Sequence, residues 1–389
     1  MPSRREFLKL AALFTAAGSL PLLQACGQRA AQNPDAPLKI GYLPITDATP
    51  LLVAHAQGLF AKHGVNNVVK PVLFRSWASL VEAFLSGQVN LIHLLSPMSI
   101  WARYGSASPI KVVMWNHMAG SALTVAPDIA NIAGLGGKTV AIPFWYSIHN
   151  VVLQKILREH GLKVVEKNPQ AGEVKLSVMA PSDMVAALAN RAIAGFIVAE
   201  PFNAVAEAKG VGKVLRFSGD VWRDHACCVT LMQEHDIARR PEWVQNVVSA
   251  LVEGQAWAAG HRADTALMLS KQGPHKYTPH EDKVLQNVLA PAPEAWARYT
   301  ESGIIRHPEW HQRRIDFQPY PYPSYTEKLV EMLKETHIAG VNRFLDELSP
   351  QHVAQDLVDA RFVKQAVEAG QFQQLFGLNG WTREEMIAV

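Results

Sequence analysis

The chain lacks several of the sequence motifs by which many enzymes are recognised. Its 389 residues contain only three cysteines. None of them forms a C-x2-C pair, and neither a Walker-type phosphate-binding loop nor an HExxH sequence is present. The enzyme classes marked by these motifs therefore receive no support.

Charge is also scarce and nearly balanced. Charged residues make up 18% of the chain, and 37 Lys and Arg against 34 Asp and Glu give a formal net charge of +3. Such a small and dispersed excess predicts no nucleic-acid partner. The hydrophobic fraction of 49% is typical of a folded soluble protein, and the length suffices for two ordinary domains.

The amino terminus contains two export signals, one at each end of a short apolar run. The sequence SRREFLK has the adjacent arginines of a twin-arginine signal, and the apolar run that follows is too short to span a bilayer comfortably. That run ends in LQACG, which resembles a bacterial lipobox with Cys26 as the lipidated residue. We predict a signal over residues 1–26, a flexible tether over residues 27–37, and a periplasmic, lipid-anchored protein exported by the twin-arginine route. An ordinary signal peptide with a chance cysteine is the alternative.

Strand-like and helix-like segments alternate from residue 38 onward. The first series includes a helix over 51–62 and a strand over 68–74. The second series includes a strand over 139–142 and a helix over 184–189 with Asp183 as its N-cap. This alternation predicts an α/β fold with largely parallel sheets, whose strand-to-helix loops converge on one edge where ligands bind.

The stretch AIPFWYSIHN, residues 141–150, concentrates candidate ligand contacts. A strand ending near Pro143 and a helix beginning near Ser147 place this turn at a strand end beside a helix N-terminus. Three aromatic residues and one histidine in the turn predict a pocket wall; in the alternative, the first two aromatics are core and only the third is exposed to water. These residues are Phe144, Trp145, Tyr146 and His149.

Several segments, taken in order, resemble the bacterial periplasmic solute-binding proteins of the nitrate/sulfonate/bicarbonate ABC-transporter family, which is related to thiamine-pyrimidine binding proteins. The matching segments are GYLPITDATPLLVA, GLFAKHG, EAFLSGQVNLIHLLSP, LGGKTVAIP, FIVAEPF and HACCVTLM. They cover roughly residues 38–260, and the later chain fits less specifically. The resemblance implies the two-lobed periplasmic-binding-protein fold (type II), a ligand cleft between the lobes, hinge closure, and delivery to ABC permease and ATPase subunits.

The same resemblance implies a domain layout. Residues 38–120 and 226–389 form lobe 1, with a C-terminal helical extension, and residues 121–225 form lobe 2. The chain crosses between the lobes at Trp115–Ser121 and at Asp224–Cys228, which places these residues at the hinge and cleft floor. We expect a monomer without a cofactor and without enzymatic activity.

Residues expected in the cleft are of two kinds. Hydroxyl groups and helix-start N–H groups suit an oxyanion, whereas aromatic rings suit a planar organic ligand. Glu200 either accepts an N–H or caps a local helix, and Asp47 either binds ligand or forms an Asx turn. Arg75 is the only cation expected near these loops. The predicted ligand-binding residues are Asp47, Thr49, Trp77, Ser96, Trp115, Ser121, Phe144, Trp145, Tyr146, Ser147, His149, Asp183, Glu200, His225 and Cys227.

The sequence around His225, Cys227 and Cys228 allows three interpretations. We rank free thiols first, one buried and one in the cleft, and a vicinal disulfide second. A metal site with His117 or His149 as further ligands ranks third, because adjacent cysteines do not easily reach one zinc ion. No metal ligand is therefore predicted.

The leading functional hypothesis is a lipid-anchored receptor for a small solute, either a nitrate-, sulfonate- or bicarbonate-type anion or a small organic ligand, that serves an ABC importer. One alternative is a binding protein for a thiamine pyrimidine or another aromatic heterocycle, or a related pyrimidine-processing enzyme. A sensory binding protein that presents its ligand to a membrane receptor is another, and the sequence does not separate sensing from transport.

Overall fold

The structure is a computed structural model, and it describes residues 36–310 and 313–389. The predicted signal over residues 1–26, with Cys26, and residues 27–35 of the predicted tether lie outside the described residues. Within the described part of the chain, no helix is long and apolar enough to cross a bilayer.

Two mixed sheets and one short strand pair form the framework of the fold. The strands are short, and most of them are buried because helices cover both sheets. In chain order they are β1 (Ile40–Tyr42), β2 (Val72–Leu73), β3 (Leu91–Leu95), β4 (Ile110–Trp115), β5 (Met118–Ala119), β6 (Ser121–Val125), β7 (Lys138–Ile142), β8 (Lys163–Val165), β9 (Glu173–Val178), β10 (Gly195–Ala199), β11 (Lys213–Phe217), β12 (Cys228–Gln233) and β13 (Ile315–Asp316).

The first sheet has the order β2-β1-β3-β12-β4, and the second has the order β11-β6-β10-β7-β9-β8. In the first sheet β1 pairs parallel with its neighbours, whereas β12 pairs antiparallel with β3 and β4. In the second sheet β7, β8, β9 and β10 pair parallel, and β6 pairs antiparallel with β10 and β11. Both sheets are thus mixed rather than largely parallel, because β6 and β12 enter directly from the other sheet without a helical crossover.

Helices follow most strands and continue through the C-terminal part of the chain. They are α1 (Thr49–Ala56), α2 (Leu59–Lys62), α3 (Trp77–Leu85), α4 (Ser96–Ile100), α5 (Ile148–Glu159), α6 (Pro181–Ala189), α7 (Phe202–Ala208), α8 (Glu234–Arg239), α9 (Pro241–Gly260), α10 (Arg262–Leu269), α11 (Asp282–Leu289), α12 (Pro293–Glu301), α13 (Pro323–Lys334), α14 (Phe344–Glu347), α15 (Pro350–Asp356) and α16 (Arg361–Ala369).

Three predicted elements differ from the observed ones. The helix predicted over 51–62 is two helices, because Gly58 between them adopts a left-handed conformation with φ of +67°. The strand predicted over 68–74 shortens to Val72–Leu73, since Pro71 has no N–H to donate to a neighbouring strand. The helix predicted over 184–189 begins at Pro181, so Asp183 is an exposed residue of the first turn and not the N-cap.

The two crossings between the sheets lie side by side. The first runs from the end of β4 to the start of β6, and the second runs from β11 to β12. The N–H of Ala119 donates to the carbonyl of His225 at 2.9 Å, and Met118 forms a bridge with Ala226. Gly120 adopts a φ of +79°, which lets the chain turn sharply into β6. The lobe boundaries at residues 120 and 225 remain predictions.

The C-terminal segment contacts the second sheet and the second crossing. The ring of Phe217 in β11 lies 4.9 Å from that of Tyr299 in α12. Tyr325 in α13 donates its hydroxyl to the carbonyl of Ala226 at 2.6 Å. The segment therefore supports the second crossing as well as the sheet beside it.

Candidate ligand-binding site

A buried polar cluster lies where the two crossings meet. Asp47 comes from the loop between β1 and α1, His117 from the first crossing, and Cys227 and Cys228 from the second. One ligand atom of each residue lies within 4.8 Å of the others, and all four side chains are 0% exposed. We call these four residues the crossing cluster.

The loop that carries Asp47 is held by the first crossing. Asn116 donates its Nδ2 to the carbonyl of Asp47 at 2.9 Å, and Asn116 Oδ1 accepts a hydrogen bond from Thr230 Oγ1 at 2.6 Å. The Asp47 carboxylate itself lies beside His117, with Oδ2 at 3.0 Å from Nε2. The two side chains thus form a buried ion pair whose position is set by three separate segments of the chain.

Burial and the contacts between them shift the pKa values of all four residues of the crossing cluster. Burial alone lowers the pKa of His117, but the Asp47 carboxylate outweighs burial and raises that pKa to about 10. Burial also works against ionised Asp47, yet His117 holds the Asp47 pKa at about 2. Burial raises the pKa of the Cys228 thiol well above its usual range. The hydrogen bond between Cys228 and Cys227 raises this pKa as well.

The thiol of Cys227 behaves in the opposite way to its neighbour. Burial opposes its ionisation, but a hydrogen bond from Cys228 and the nearby His149 and His117 bring the Cys227 pKa well below its usual range. Burial and hydrogen bonding therefore shift the pKa values of these two adjacent thiols in opposite directions.

The helix α5, which follows β7 of the second sheet, begins beside this cluster. Ser147 is the N-cap of α5, as predicted, because its Oγ accepts a hydrogen bond from the Asn150 N–H at 3.1 Å. The first turn of α5 places His149 Nε2 at 2.9 Å from Ser121 Oγ and at 3.7 Å from Cys227 Sγ. The buried N-terminus of α5 and the crossing cluster thus face each other directly.

The aromatic turn predicted as a pocket wall packs against other parts of the chain. Tyr146 is the most buried of the three rings and donates its hydroxyl to the carbonyl of Val341 at 2.6 Å. Phe144 and Trp145 are half-buried, so the alternative, in which these two are core and only Tyr146 is exposed to water, is wrong. Their ring partners are Trp101 for Phe144 and Tyr146, Phe344 for Tyr146, and His337 for Trp145.

Two further predicted aromatic contacts belong to the hydrophobic core. Trp115 is 1% exposed, and its ring lies 4.8 Å from that of Tyr325. Trp77 packs edge-on against His93, at 5.5 Å between ring centroids. Burial lowers the pKa of His93 to about 4, so its neutral ring accepts a hydrogen bond from the Leu43 N–H. Both tryptophans have packing roles in this arrangement.

Glu200 is bound by a cation that the sequence analysis missed. Its Oε1 accepts from Arg314 Nε at 3.0 Å, and its Oε2 accepts from the Ala204 N–H at 3.2 Å. Arg314 also reaches Glu207 at 2.9 Å. Local sequence contains no signal for this pair, because 114 positions separate Glu200 from Arg314.

The remaining predicted residues have local roles or lie on the surface. Thr49 donates its hydroxyl to the carbonyl of Thr46, and Ser96 donates its N–H to the carbonyl of Cys227. His225 Nε2 lies 2.8 Å from Ser218 Oγ, and Asp183 is exposed on α6. Of the predicted set, the structure brings together Asp47, Ser121, His149 and Cys227. It adds His117, which the sequence analysis had weighed only as a metal ligand, and Cys228, which it had weighed first as a free thiol.

The profile of the NMT1-like family matches residues 31–270, which is more than half of the chain. The chain belongs to this family. It is 26% identical over 240 residues to the nitrate/nitrite binding protein NrtA of a Nostoc species, covering 56% of this chain and 53% of the relative. It is 27% identical over 240 residues to the bicarbonate transport ATP-binding protein CmpC of Synechocystis, covering 57% of this chain and 35% of the relative. This NMT1-like chain therefore spans about half or less of the length of these curated relatives.

Solved structures confirm the predicted periplasmic-binding-protein fold. The nitrate-binding protein NrtA from Synechocystis matches with a TM-score of 0.70 at 17% identity, over 90% of this chain and 93% of that one. A zinc-bound ligand-binding component of an ABC-type import system from Staphylococcus aureus matches with a TM-score of 0.66 at 21% identity, over 85% and 98%. The alkanesulfonate-binding protein SsuA from Xanthomonas axonopodis, bound to MOPS, matches with a TM-score of 0.54 at 16% identity, over 85% and 96%. The predicted resemblance to nitrate- and sulfonate-type binding proteins is thus confirmed.

Proposed function

We propose that this NMT1-like chain is the extracytoplasmic substrate-binding component of an ABC importer. In this role it binds a small solute between its two sheets and presents it to a permease driven by an ATPase, without chemical turnover. One observation carries the proposal: the N-terminus of α5 meets the crossing cluster, with His149 Nε2 at 2.9 Å from Ser121 Oγ. Buried polar groups from both sheets converge there, as a cleft that closes around a solute requires. The family and the fold of its relatives support the same role.

A small oxyanion such as nitrate, bicarbonate or a short sulfonate is the solute class that this geometry favours. Ser121 and His149 bond each other, which leaves the pair one further hydrogen-bond donor beside the positive end of the α5 dipole. An aromatic heterocycle is less favoured, because the rings at residues 144–146 already pack against Trp101 and the C-terminal segment. The polar groups are buried, so a solute enters when the two sheets separate at the crossings.

The test is thermal unfolding and titration calorimetry of the purified protein with nitrate, bicarbonate, short sulfonates and aminopyrimidines. A solute at 100 times its dissociation constant should stabilise the native state by about 2.7 kcal/mol. Replacing His149 by alanine should weaken binding of the active anion about 10- to 100-fold, since a hydrogen bond to a charged group is lost.

The control for that variant is His160→Ala, which removes an exposed histidine at the opposite end of the same helix. It should leave the affinity for the anion unchanged. Stabilisation by none of the solutes, or equal losses in the two variants, would contradict the proposed site.

We further propose that a monomer of this protein is held at the membrane by a lipid on Cys26 after twin-arginine export. The adjacent arginines and the LQACG sequence support both steps. Cells grown with labelled palmitate should incorporate label into the wild-type protein and not into a Cys26→Ala variant. Equal labelling of the two proteins would rule the anchor out.

A further inference from the structure

We propose that the crossing cluster is a binding site for a thiophilic divalent cation of the Zn²⁺ type, with Asp47, His117, Cys227 and Cys228 as its ligands. The cation would join the loop after β1 to both crossings. This site lies beside the Ser121–His149 contact, so the inference goes beyond the proposed solute site and does not depend on the identity of the solute.

The donor set and its spacing fit such an ion. One imidazole nitrogen, one carboxylate oxygen and two thiolate sulfurs make up a four-ligand set that suits tetrahedral Zn²⁺. Bonds of the usual length place the ligand atoms of a tetrahedral site about 3.3–3.8 Å apart. The four atoms here all lie within 4.8 Å of one another, and the Asp47–His117 pair is already at 3.0 Å. A contraction of at most about 1 Å in any pair would complete the site.

The Asp47 carboxylate provides an independent observation. It is fully buried, and in the described part of the chain neither of its oxygens accepts a hydrogen bond from any group outside the crossing cluster. His117 Nε2 lies 3.0 Å from one of these oxygens, yet it also lacks a well-directed hydrogen bond there. Buried carboxylates are ordinarily hydrogen-bonded or coordinated to metal, so the pair converges on a position that a cation would satisfy.

The adjacent cysteines are compatible with one ion because only one of them belongs to a strand. Cys227 lies in a bend, and the regular backbone of β12 begins at Cys228. The alternation that sends neighbouring strand side chains to opposite faces therefore does not apply between them. Both thiols are free, which leaves both sulfurs available as ligands. Coordination requires Cys227 and Cys228 as thiolates and His117 as a neutral imidazole, so any proton that a thiol or the imidazolium carries would pass to water as the ion binds.

The test uses the full chain, kept reduced and freed of metal by a chelator, and titrated with Co²⁺ and then Zn²⁺. Because the cluster is closed to solvent, a parallel sample is unfolded and refolded with each metal present. We expect one ion per chain, thiolate-to-Co²⁺ charge-transfer absorption with tetrahedral d–d bands, and displacement of Co²⁺ by Zn²⁺. X-ray absorption of the Zn²⁺-loaded wild-type protein should show two sulfur neighbours at about 2.3 Å and two nitrogen or oxygen neighbours at about 2.0–2.2 Å.

Two variants and one matched control assign the ligands. Cys228→Ser and Asp47→Asn should each lower the affinity for Zn²⁺ by about 100-fold or more, since loss of a direct ligand should exceed the 10- to 100-fold typical of outer-shell changes. His160→Gln should leave the affinity unchanged, because His160 is exposed at the C-terminal end of α5, away from the crossing cluster. The wild-type absorption measurement decides the question even if a cluster variant does not fold.

The absence of stoichiometric metal in both wild-type samples, or a bound ion without sulfur neighbours, would overturn the inference. Neither result bears on the proposed solute receptor, which is tested by the anion titration of the metal-free protein. Conversely, stoichiometric Zn²⁺ on two sulfurs would stand even if none of the solutes bound.

Discussion

Replacing Arg314 with methionine should destabilise the protein by about 3–5 kcal/mol, because it leaves the Glu200 carboxylate buried without its guanidinium partner. Arg314 is closed to solvent, so one substitution breaks its charged contacts with Glu200 at the end of β10 and with Glu207 in α7. Urea unfolding at neutral pH, followed by tryptophan fluorescence, measures the change.

The neighbouring residue provides the matched control for Arg314. Arg313 also pairs with a carboxylate, Asp316 at 3.4 Å, but half of its side chain is exposed to water. Arg313→Met should therefore cost less than about 1 kcal/mol. In an Arg314→Met/Glu200→Met double variant, part of the lost stability should return, because no buried charge remains unpaired at Glu200. Equal losses in the two single variants would refute the assignment of Arg314 as a buried structural cation.

Replacing Trp115 with alanine should lower the free energy of unfolding by about 3–5 kcal/mol, since it removes a large buried ring and leaves a cavity. The ring is packed between β4 and the C-terminal segment, against Tyr322 and Tyr325. Its side chain has no place in the Ser121–His149 site, so affinity for the bound anion should stay within about 3-fold of wild type, which corresponds to less than 1 kcal/mol.

The control for Trp115 is Trp257→Ala on α9, where a half-buried indole stacks on His261. It should cost about 1–2 kcal/mol, because less apolar surface is removed from water in the native state. A Trp115→Ala protein with wild-type stability and no solute binding would instead support the ligand-binding role that the sequence analysis predicted for this residue.

Interactions between near neighbours in the chain were predictable. The strand β7 and the helix α5 follow from apolar spacing, and Ser147 is the N-cap because a β-region serine at that point satisfies a free N–H three residues later. The hydroxyl that the sequence analysis offered to a ligand is used by this cap and by the carbonyl of Phe144. The local sequence pattern therefore predicted where α5 begins, but it did not predict that the Ser147 hydroxyl would be bonded within the chain.

The start of α6 shows the limit of such patterns. Both Ser182 and Asp183 are good N-cap residues, but Pro181 already adopts the helical conformation and moves the helix start before them. The aromatic turn shows a second limit. The rings of Trp145 and Tyr146 contact His337 and Phe344, and residues so distant in sequence leave no trace in the local pattern.

By itself, the sequence determined the α/β class, the order of strands and helices, and the resemblance that the family match confirms, because periodicity and turn chemistry act over a few residues. Only the tertiary structure decided which buried polar groups meet. Asp47, His117 and Cys227 are separated by at least 70 positions in sequence, and they come together because both crossings run side by side between the sheets. Their ionisation follows from burial and from one another, so it became predictable only when the fold had placed them in contact.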